Sequence, residues 1–322
     1  MKWLLLIVTS IALIELYYKH GLVNTLKPFY HLFIALLVSQ LASIILNQGK
    51  DTESLSSTSN AVSYIAGYAH ESAFSILLYT GFLISSILLL KKNVKAIVPF
   101  LFIVGLVFAN YRTMLIASLI PLLFTYIAYL YMGTKKDTKL IMICFTVIAV
   151  IGFNALFAES VVERFGELGG AISSFSELMT IDYSLFTDEE RRLLSTRLYL
   201  WNMYLTEFSY FSFSQMLLGA GPEVWSDHFE VYAHNTFVAV LYDLGIIGLL
   251  ALLAMLYTTL LLTLKITDKK LRVVAIGLFI GFFVMSNSTM PLWAVEGIHL
   301  YSFIFTIAFY LSKRKISEQK QY

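Results

Sequence analysis

The sequence predicts an all-α polytopic membrane protein: a helical bundle of about nine spans with one long outer loop carrying an amphipathic helix. Two observations carry that prediction. The first is composition. The 322 residues are 58% hydrophobic and 14% charged, with a mean hydropathy of +0.75, whereas a soluble domain is near half apolar and a quarter charged. The second is pattern. The apolar residues fall into runs long enough, or nearly long enough, to cross hydrocarbon, and the lysines fall in alternate connections between them. The net charge of +2 therefore says less than the placement of the lysines. Cys144 is the single cysteine and lies inside an apolar run, which excludes a disulfide framework and a cysteine-based metal site. Nothing in this balance calls for a nucleic-acid partner.

Taken in order, the runs are 3–18, 28–47, 72–90, 96–111, 114–132, 140–158, 236–264, 273–288 and 297–311. The start, Met1-Lys2 followed by apolar residues, has the look of a secretory leader. No small-residue cleavage site follows it and further spans come at once, so it reads as a first span. Lys19 and Lys27 separate the first two runs. Lys91, Lys92 and Lys95 fall in one later connection, Lys135, Lys136 and Lys139 in another, and Lys265, Lys269, Lys270 and Arg272 in a third. Lys313, Arg314 and Lys315 follow the last run. With alternating spans all of these share one side, and the positive-inside rule makes that side the cytoplasm. The organisation is then 1–158 with six spans, 159–235 as a long extracytoplasmic loop, and 236–322 with three spans and a cytoplasmic tail. An odd count leaves the N-terminus outside, against the preference of Lys2.

The long loop has internal order. Thr187-Asp188-Glu189-Glu190 reads as a capping box with Thr187 as N-cap. Behind it Leu194, Arg197, Trp201, Leu205 and Phe208 recur at helical spacing, which predicts an amphipathic helix of about five turns against the outer membrane surface. Arg197 and Trp201 are one turn apart and share a face. Beyond the polar run 54–60 there is no low-complexity tract, and no internal repeat.

Five stations carry possible chemistry. Arg112 follows a run that spans only about 24 Å as a helix, so it sits at or slightly within the outer boundary, either as a functional cation or snorkelling to headgroups. Arg191 and Arg192 follow an acidic turn and read as headgroup contacts. Arg197 lies on the Leu194–Trp201 face, where a guanidinium can grip a phosphate through two parallel hydrogen bonds. Gly219-Ala220-Gly221-Pro222 is a turn whose glycines let backbone amides approach a ligand; it is neither a dinucleotide fingerprint nor a P-loop. His234 precedes a helix that Asn235 or Thr236 can cap. A neutral imidazole there suits a general base, and an idle interfacial histidine is the plain alternative. Asp243 is a carboxylate inside the same span and needs a partner, while Gly245 and Gly248 beside it read as helix packing. His70-Glu71, Glu159, Glu296 and His299 are weaker candidates at the same boundary. No metal-ligand spacing occurs in an outer loop, so a mechanism without metal or cofactor is expected.

The layout and its motifs resemble the O-antigen polymerase and O-antigen ligase superfamily. The motifs are Asn110-Tyr111-Arg112-Thr113, Ser195-Thr196-Arg197 followed by Trp201, Leu217-Leu218-Gly219-Ala220-Gly221, Ala233-His234-Asn235, and Asp243-x-Gly245-x-x-Gly248. The resemblance covers the chain from Ser72 onward; the family's spans number more than are read here. It implies a metal-independent glycosyltransferase at the outer face of the bacterial cytoplasmic membrane, whose donor is an oligosaccharide on undecaprenyl pyrophosphate. Arg112 and Arg197 would bind the pyrophosphate and stabilise its charge, and His234 would orient or deprotonate the acceptor hydroxyl. Trp201, Gly219, Gly221, Asn235 and Asp243 fall at motif positions and join the substrate-binding set. Membrane lipid, a flippase and a chain-length regulator are the partners such an enzyme admits.

Within the superfamily a polymerase joins lipid-linked repeats and a ligase moves the finished glycan to another acceptor. The 20 tyrosines and 25 phenylalanines associate the chain with polymerases of O-antigen, capsule or exopolysaccharide repeats. A flippase or transporter of the same lipid is the rival from another class; it would place its arginines mid-membrane in repeat-related halves. The topology is directly testable. Cysteines at Ser57 and Ser174 are expected to react with an impermeant thiol reagent in cells lacking an outer-membrane barrier, and one at Thr134 is not. Labelling at Thr134 with Ser174 protected would reverse the orientation.

Overall fold

The computed structural model describes residues 2–51, 62–89, 97–131, 174–193 and 196–314. The expected span 140–158 with Cys144, the lysines at 91–95 and 135–139, the polar run 54–60, Glu159, Leu194, Ser195 and Lys315 lie outside the described residues. In chain order the elements are α1 (Lys2–His20), α2 (Leu22–Ile45), β1 (Lys50–Asp51), β2 (Val62–Ser63), α3 (Glu71–Leu89), α4 (Ile97–Phe108) and α5 (Arg112–Tyr131). Then come α6 (Asp188–Arg192), α7 (Arg197–Ser209), α8 (Phe213–Leu218), α9 (Trp225–His228), α10 (Thr236–Leu264), α11 (Lys269–Ser286) and α12 (Val295–Lys313). Among the described residues the fold is all-α apart from the antiparallel pair β1–β2, in which Lys50 faces Ser63. Every other expected run coincides with a helix. Among the described residues five helices, α1, α2, α3, α10 and α12, are long and apolar enough to cross a membrane.

The chain divides into two compact units, residues 1–139 with 256–285 and 291–322, and residues 140–255 with 286–290. In the first, α3 and α12 are buried along most of their length. α3 packs on α2, α4, α5 and α12, and α12 packs on α1, through ring pairs such as Tyr17–Tyr310 at 5.4 Å and Phe29–Phe303 at 5.1 Å. Several polar side chains in this apolar setting are hydrogen-bonded locally or to a neighbouring backbone, as low dielectric favours. Gln40 donates to the carbonyls of Tyr64 and Gly105, both at 2.8 Å, and Tyr79 donates to Leu278 O. The apolar residues Leu4, Ile7 and Ile11 of α1 and Leu32, Val38 and Ile45 of α2 are exposed. A continuous apolar helix face of that kind belongs against lipid.

The second helix starts earlier than the apolar run suggests. Pro28 lies inside α2, so Lys27 is a helix residue and not part of a connection. A proline forfeits one ladder bond; burial of Leu22 and Leu26 holds the helix together on its N-terminal side. The turn before it is made by Gly21 at φ 78°, with Thr25 Oγ1 donating to Leu16 O and Gly21 O.

In the second unit the capping box of α6 is present: Glu190 N donates to Thr187 Oγ1, and Thr187 N donates to Glu190. Those donors from Thr187 hold the Glu190 carboxyl below its ordinary pKa. The expected five-turn helix is two helices. α6 stops at Arg192, and α7 begins at Arg197 after Thr196, which has left-handed φ of 71°. Nor does α7 present an apolar face to lipid. Leu198, with Leu178 and Phe186, makes a small core flanked by Ile181, Leu193, Tyr199 and Trp201, so packing within the unit outweighs the interfacial position that its periodicity allows.

Candidate functional site

Arg197 is the first residue of α7, and three features fix where that helix starts. Leu198 is anchored in the small core. Asn202, one turn on and buried, donates from Nδ2 to Leu178 O at 2.7 Å and Ile181 O at 2.9 Å. Thr196, a β-branched residue in a region such residues avoid, turns the chain into the helix. Arg191 is engaged elsewhere, with its guanidinium 5.4 Å over the Tyr199 ring.

The opposite end of α7's packing face holds the segment before α10. Trp201 Nε1 donates to Ala233 O at 3.0 Å, and Tyr204 Oη donates to Val231 O at 3.2 Å. Trp201, the helical neighbour of Arg197, thus secures the residue directly before His234. His234 itself has left-handed φ of 50°, and its ring lies 4.0 Å from that of Tyr232, tilted by 38°. Asn235 is the cap: its Oδ1 accepts from Phe237 N and Val238 N, and its Nδ2 donates to Asn287 O. Thr236 Oγ1 donates to Thr289 O. His234 is therefore held from both sides, by a tryptophan behind and a capped helix ahead.

α10 is broken at Gly245, which has φ 67° and ψ −167°. The turn Gly219-Ala220-Gly221 docks on that break. Ala220 N donates to Tyr242 O at 2.9 Å and Gly221 N to Asp243 O at 3.0 Å, while Gly219 N donates to Gln215 O. A Cβ on Gly219 would lie 2.3 Å from the Asp243 carbonyl, and one on Gly245 would lie 2.4 Å from Leu217 O. The glycines allow a close backbone approach, as expected, but the approach is to the helix: the three turn amides are committed internally, so Gly219 and Gly221 shape the site rather than present their amides to a ligand. Asp243 is 1% exposed. Burial, and after it the Asp243 charge, raises the Tyr204 hydroxyl above its ordinary pKa. Tyr204 also stacks on Phe229 at 4.0 Å and meets Tyr242 edge-on, which joins α7, the loop and α10.

Of the expected residues, Arg197, Trp201, Gly219, Gly221, His234, Asn235 and Asp243 fall in this one unit. Arg112 begins α5 in the other. The first unit also gathers the weaker candidates. Glu71 lies 3.9 Å from both Lys50 and His70, and Tyr68 donates to Glu296 at 2.8 Å. Burial, then the Glu296 hydrogen bond and charge, pushes the Tyr68 hydroxyl up to about 12. Sequence reasoning passed over Asn202, Tyr204, Asn287 and Thr289. A buried asparagine on an apolar helix face was the one visible signal. Among the described residues no group of three or more His, Cys, Asp or Glu is placed to hold a metal ion.

A family model described as O-antigen ligase matches residues 96–253, a stretch that holds Arg112 and the sequence-predicted site residues of the second unit, Arg197 to Asp243. No curated protein matches the chain.

The docking of the turn on the break predicts a graded glycine series. Gly219→Ala and Gly245→Ala each add strain at positive φ and a methyl into backbone, and the overpacking alone costs about 1–3 kcal/mol. Gly67→Ala, at φ 76° with nothing within 4 Å, carries only the backbone part. Thermal unfolding of detergent-solubilised protein is expected to rank the first two well below the third. Equal losses at all three would show that the turn does not seat on the helix.

Proposed function

We propose, from the match of residues 96–253 to the family model described as O-antigen ligase, that this membrane protein is a polysaccharide repeat-unit polymerase. The family implies a glycosyltransferase-like membrane enzyme that works on a lipid-linked oligosaccharide. The finer reading is that the donor glycan rides on undecaprenyl pyrophosphate and that the acceptor is the terminal sugar of a second lipid-linked repeat. The lysine asymmetry supports transfer on the outer face of the cytoplasmic membrane. A donor used there has to be delivered across the bilayer, so a flippase, and a regulator of chain length, are expected partners.

One observation carries this reading. The hydrogen bond from Trp201 to Ala233 O ties the helix that begins at Arg197 to the residue that precedes His234. A cation suited to phosphate and a group suited to accept a proton are thereby set in one rigid frame. In the transfer, an acceptor hydroxyl oxygen forms the new bond to the anomeric carbon while the bond from that carbon to the pyrophosphate oxygen breaks. The hydroxyl proton passes to His234 Nε2 or Nδ1, and the lipid pyrophosphate departs with the bonding pair. Arg197 meets the charge that develops on it. No metal is required for these steps, and Arg112's share in binding the pyrophosphate rests on the resemblance. The family description favours a second reading, ligation of a finished glycan to another acceptor; the chemistry at Arg197 and His234 is the same and the product differs.

Two substitutions test the roles. Arg197→Lys keeps the charge but loses the two-pronged contact to phosphate, so most activity is expected to go. Arg191→Lys keeps a cation over Tyr199 and is expected to be nearly silent. Normal polymer length and amount from Arg197→Lys would make Arg197 a surface charge. His234→Ala is expected to bind the lipid-linked donor but to turn over roughly a hundred- to ten-thousand-fold more slowly, the usual worth of a general base. His299→Ala is the milder control. Product ladders on gels, with donor binding to purified protein, read both effects, and long polymer from His234→Ala at a near-normal rate would remove it from the mechanism.

A further inference from the structure

The outer part of α10 and the short helix α8 differ from the rest of the apolar surface in a way that locates the membrane boundary. From Thr236 to Gly245 no residue of α10 is exposed. From Ile246 onward a lipid-type face opens, with Ile247 52% and Leu250 59% exposed, and it continues through Leu253 and Tyr257 to Leu264. Residues 246–264 rise roughly 28 Å at the helical pitch, close to the ~30 Å hydrocarbon thickness. Lys265 follows directly and Lys269, Lys270 and Arg272 soon after, which marks the far boundary. The full helix from Thr236 is too long by about the length of its first segment. The hydrocarbon therefore ends at the Gly245 break.

The α7–α8 elbow stands at that level. Its depth is set by the hydrogen bonds of Ala220 and Gly221 to Tyr242 and Asp243 and by the approach of Gly245 to Leu217 and Gly219. Around it, Tyr210 is 75%, Phe213 77% and Leu218 66% exposed. Three large apolar side chains this bare within nine residues are not ordinary surface scatter. The whole stretch 208–222 has no charged residue; its polar groups are the serines 209, 212 and 214 and Gln215, and Ser212 and Gln215 cap α8. Aromatic rings with neutral polar neighbours are the composition of a membrane–water interface, where charges would be held out in water.

We propose that the α7–α8 elbow is a lipid-surface anchor: Tyr210, Phe213 and Leu218 sit in the headgroup and upper acyl layer of the bilayer, level with Gly245. The occupant of this apolar face is the same leaflet that covers Ile247 and Leu250. The break in α10 is then a boundary marker. The first segment of the helix, with the buried Asp243 and with His234 at its head, stands outside the hydrocarbon, at the depth of lipid headgroups. This placement does not depend on the glycosyl-transfer reading.

The test uses the full chain with Cys144→Ser and one spin-labelled cysteine at a time, reconstituted in phosphatidylethanolamine–phosphatidylglycerol vesicles. Labels go at Phe213, Leu218 and Leu250, with Glu230, an exposed residue of the same unit, as the aqueous reference. Power saturation compares collision with oxygen, which concentrates in lipid, against a water-soluble nickel chelate. At 213 and 218 the oxygen-to-nickel ratio is expected to exceed that at 230 several-fold and to fall below that at 250. A ratio at 213 and 218 equal to that at 230 places the elbow in water and overturns the proposal. Exclusion of both reagents from 213 and 218 gives the face to a protein partner or a second copy, and overturns it equally. A ratio at 250 no higher than at 230 overturns the boundary at Gly245. None of these readouts involves catalysis, so a failed anchor and a failed enzyme assignment are separate results.

Discussion

Backbone that leaves the helical path near a bilayer must send its hydrogen bonds into the protein, because lipid offers none. α10 leaves that path at Gly245, and the carbonyls of Tyr242 and Asp243 have their usual helical donors beyond the break. Ala220 and Gly221 supply replacements. Several contacts in the described part of the second unit build on that repair. Seating the turn brings α8 beside α10, and it fixes Tyr242 where Tyr204, Phe211 and Phe229 pack around its ring. Those contacts orient α7, and only an α7 so oriented puts Trp201 in reach of Ala233. A chain of packing thus runs from a helix defect to the residue beside His234.

Among the described residues six non-glycine positions have left-handed φ, Asn47, Ala66 and Glu223 as well as three that lie at the motifs. Asn110, Thr196 and His234 are non-glycine residues with φ of 53°, 71° and 50°, and they fall within two residues of Arg112, at Arg197's N-cap and at the candidate base. Each such residue costs on the order of 1–3 kcal/mol and persists only where its surroundings over-determine it. Around Thr196 the core contact of Leu198 and the double hydrogen bond of Asn202 do so. Around His234 it is the Trp201 bond on one side and the Asn235 cap on the other. On the proposed reading the return is preorganisation: donor and acceptor groups already point where charge develops, with no reorganisation left for the reaction step.

What was legible in the sequence is what is local. The capping box at Thr187 and Glu190, the turn at 219–222, the cap at Asn235 and the run of each described span all follow from neighbours within a few positions, and the structure has them. What was not legible depends on distant partners. Nothing near Thr196 signals a helix break; a threonine is a poor residue for it, and the packing of Leu198 against Leu178 and Phe186 makes the break hold. Pro28 looks like a helix boundary until the burial of Leu22 and Leu26 is known. Asn287 and Thr289 read as the frayed end of a span, but their carbonyls receive the side chains of Asn235 and Thr236. Gly219 and Gly221 were legible as a close approach, while the thing approached was not.

That last point bears on how an anion could be handled in this unit. Two of the sequence motifs in the described part of the second unit look like sources of backbone donors, the glycine turn and the start of α10. Both sets are already spent. The turn amides go to Gln215, Tyr242 and Asp243, and the first amides of α10 go to the Asn235 side chain. The electrostatic benefit of the α10 N-terminus still reaches His234 beside it, but its Phe237 and Val238 hydrogen bonds are not on offer. A phosphate group at the turn or at the start of α10 would therefore rely on side-chain cations, and a planar guanidinium can supply two parallel donors where an ammonium supplies a point charge. On the proposed reading that two-pronged geometry is why the identity of residue 197, and not merely its charge, carries weight.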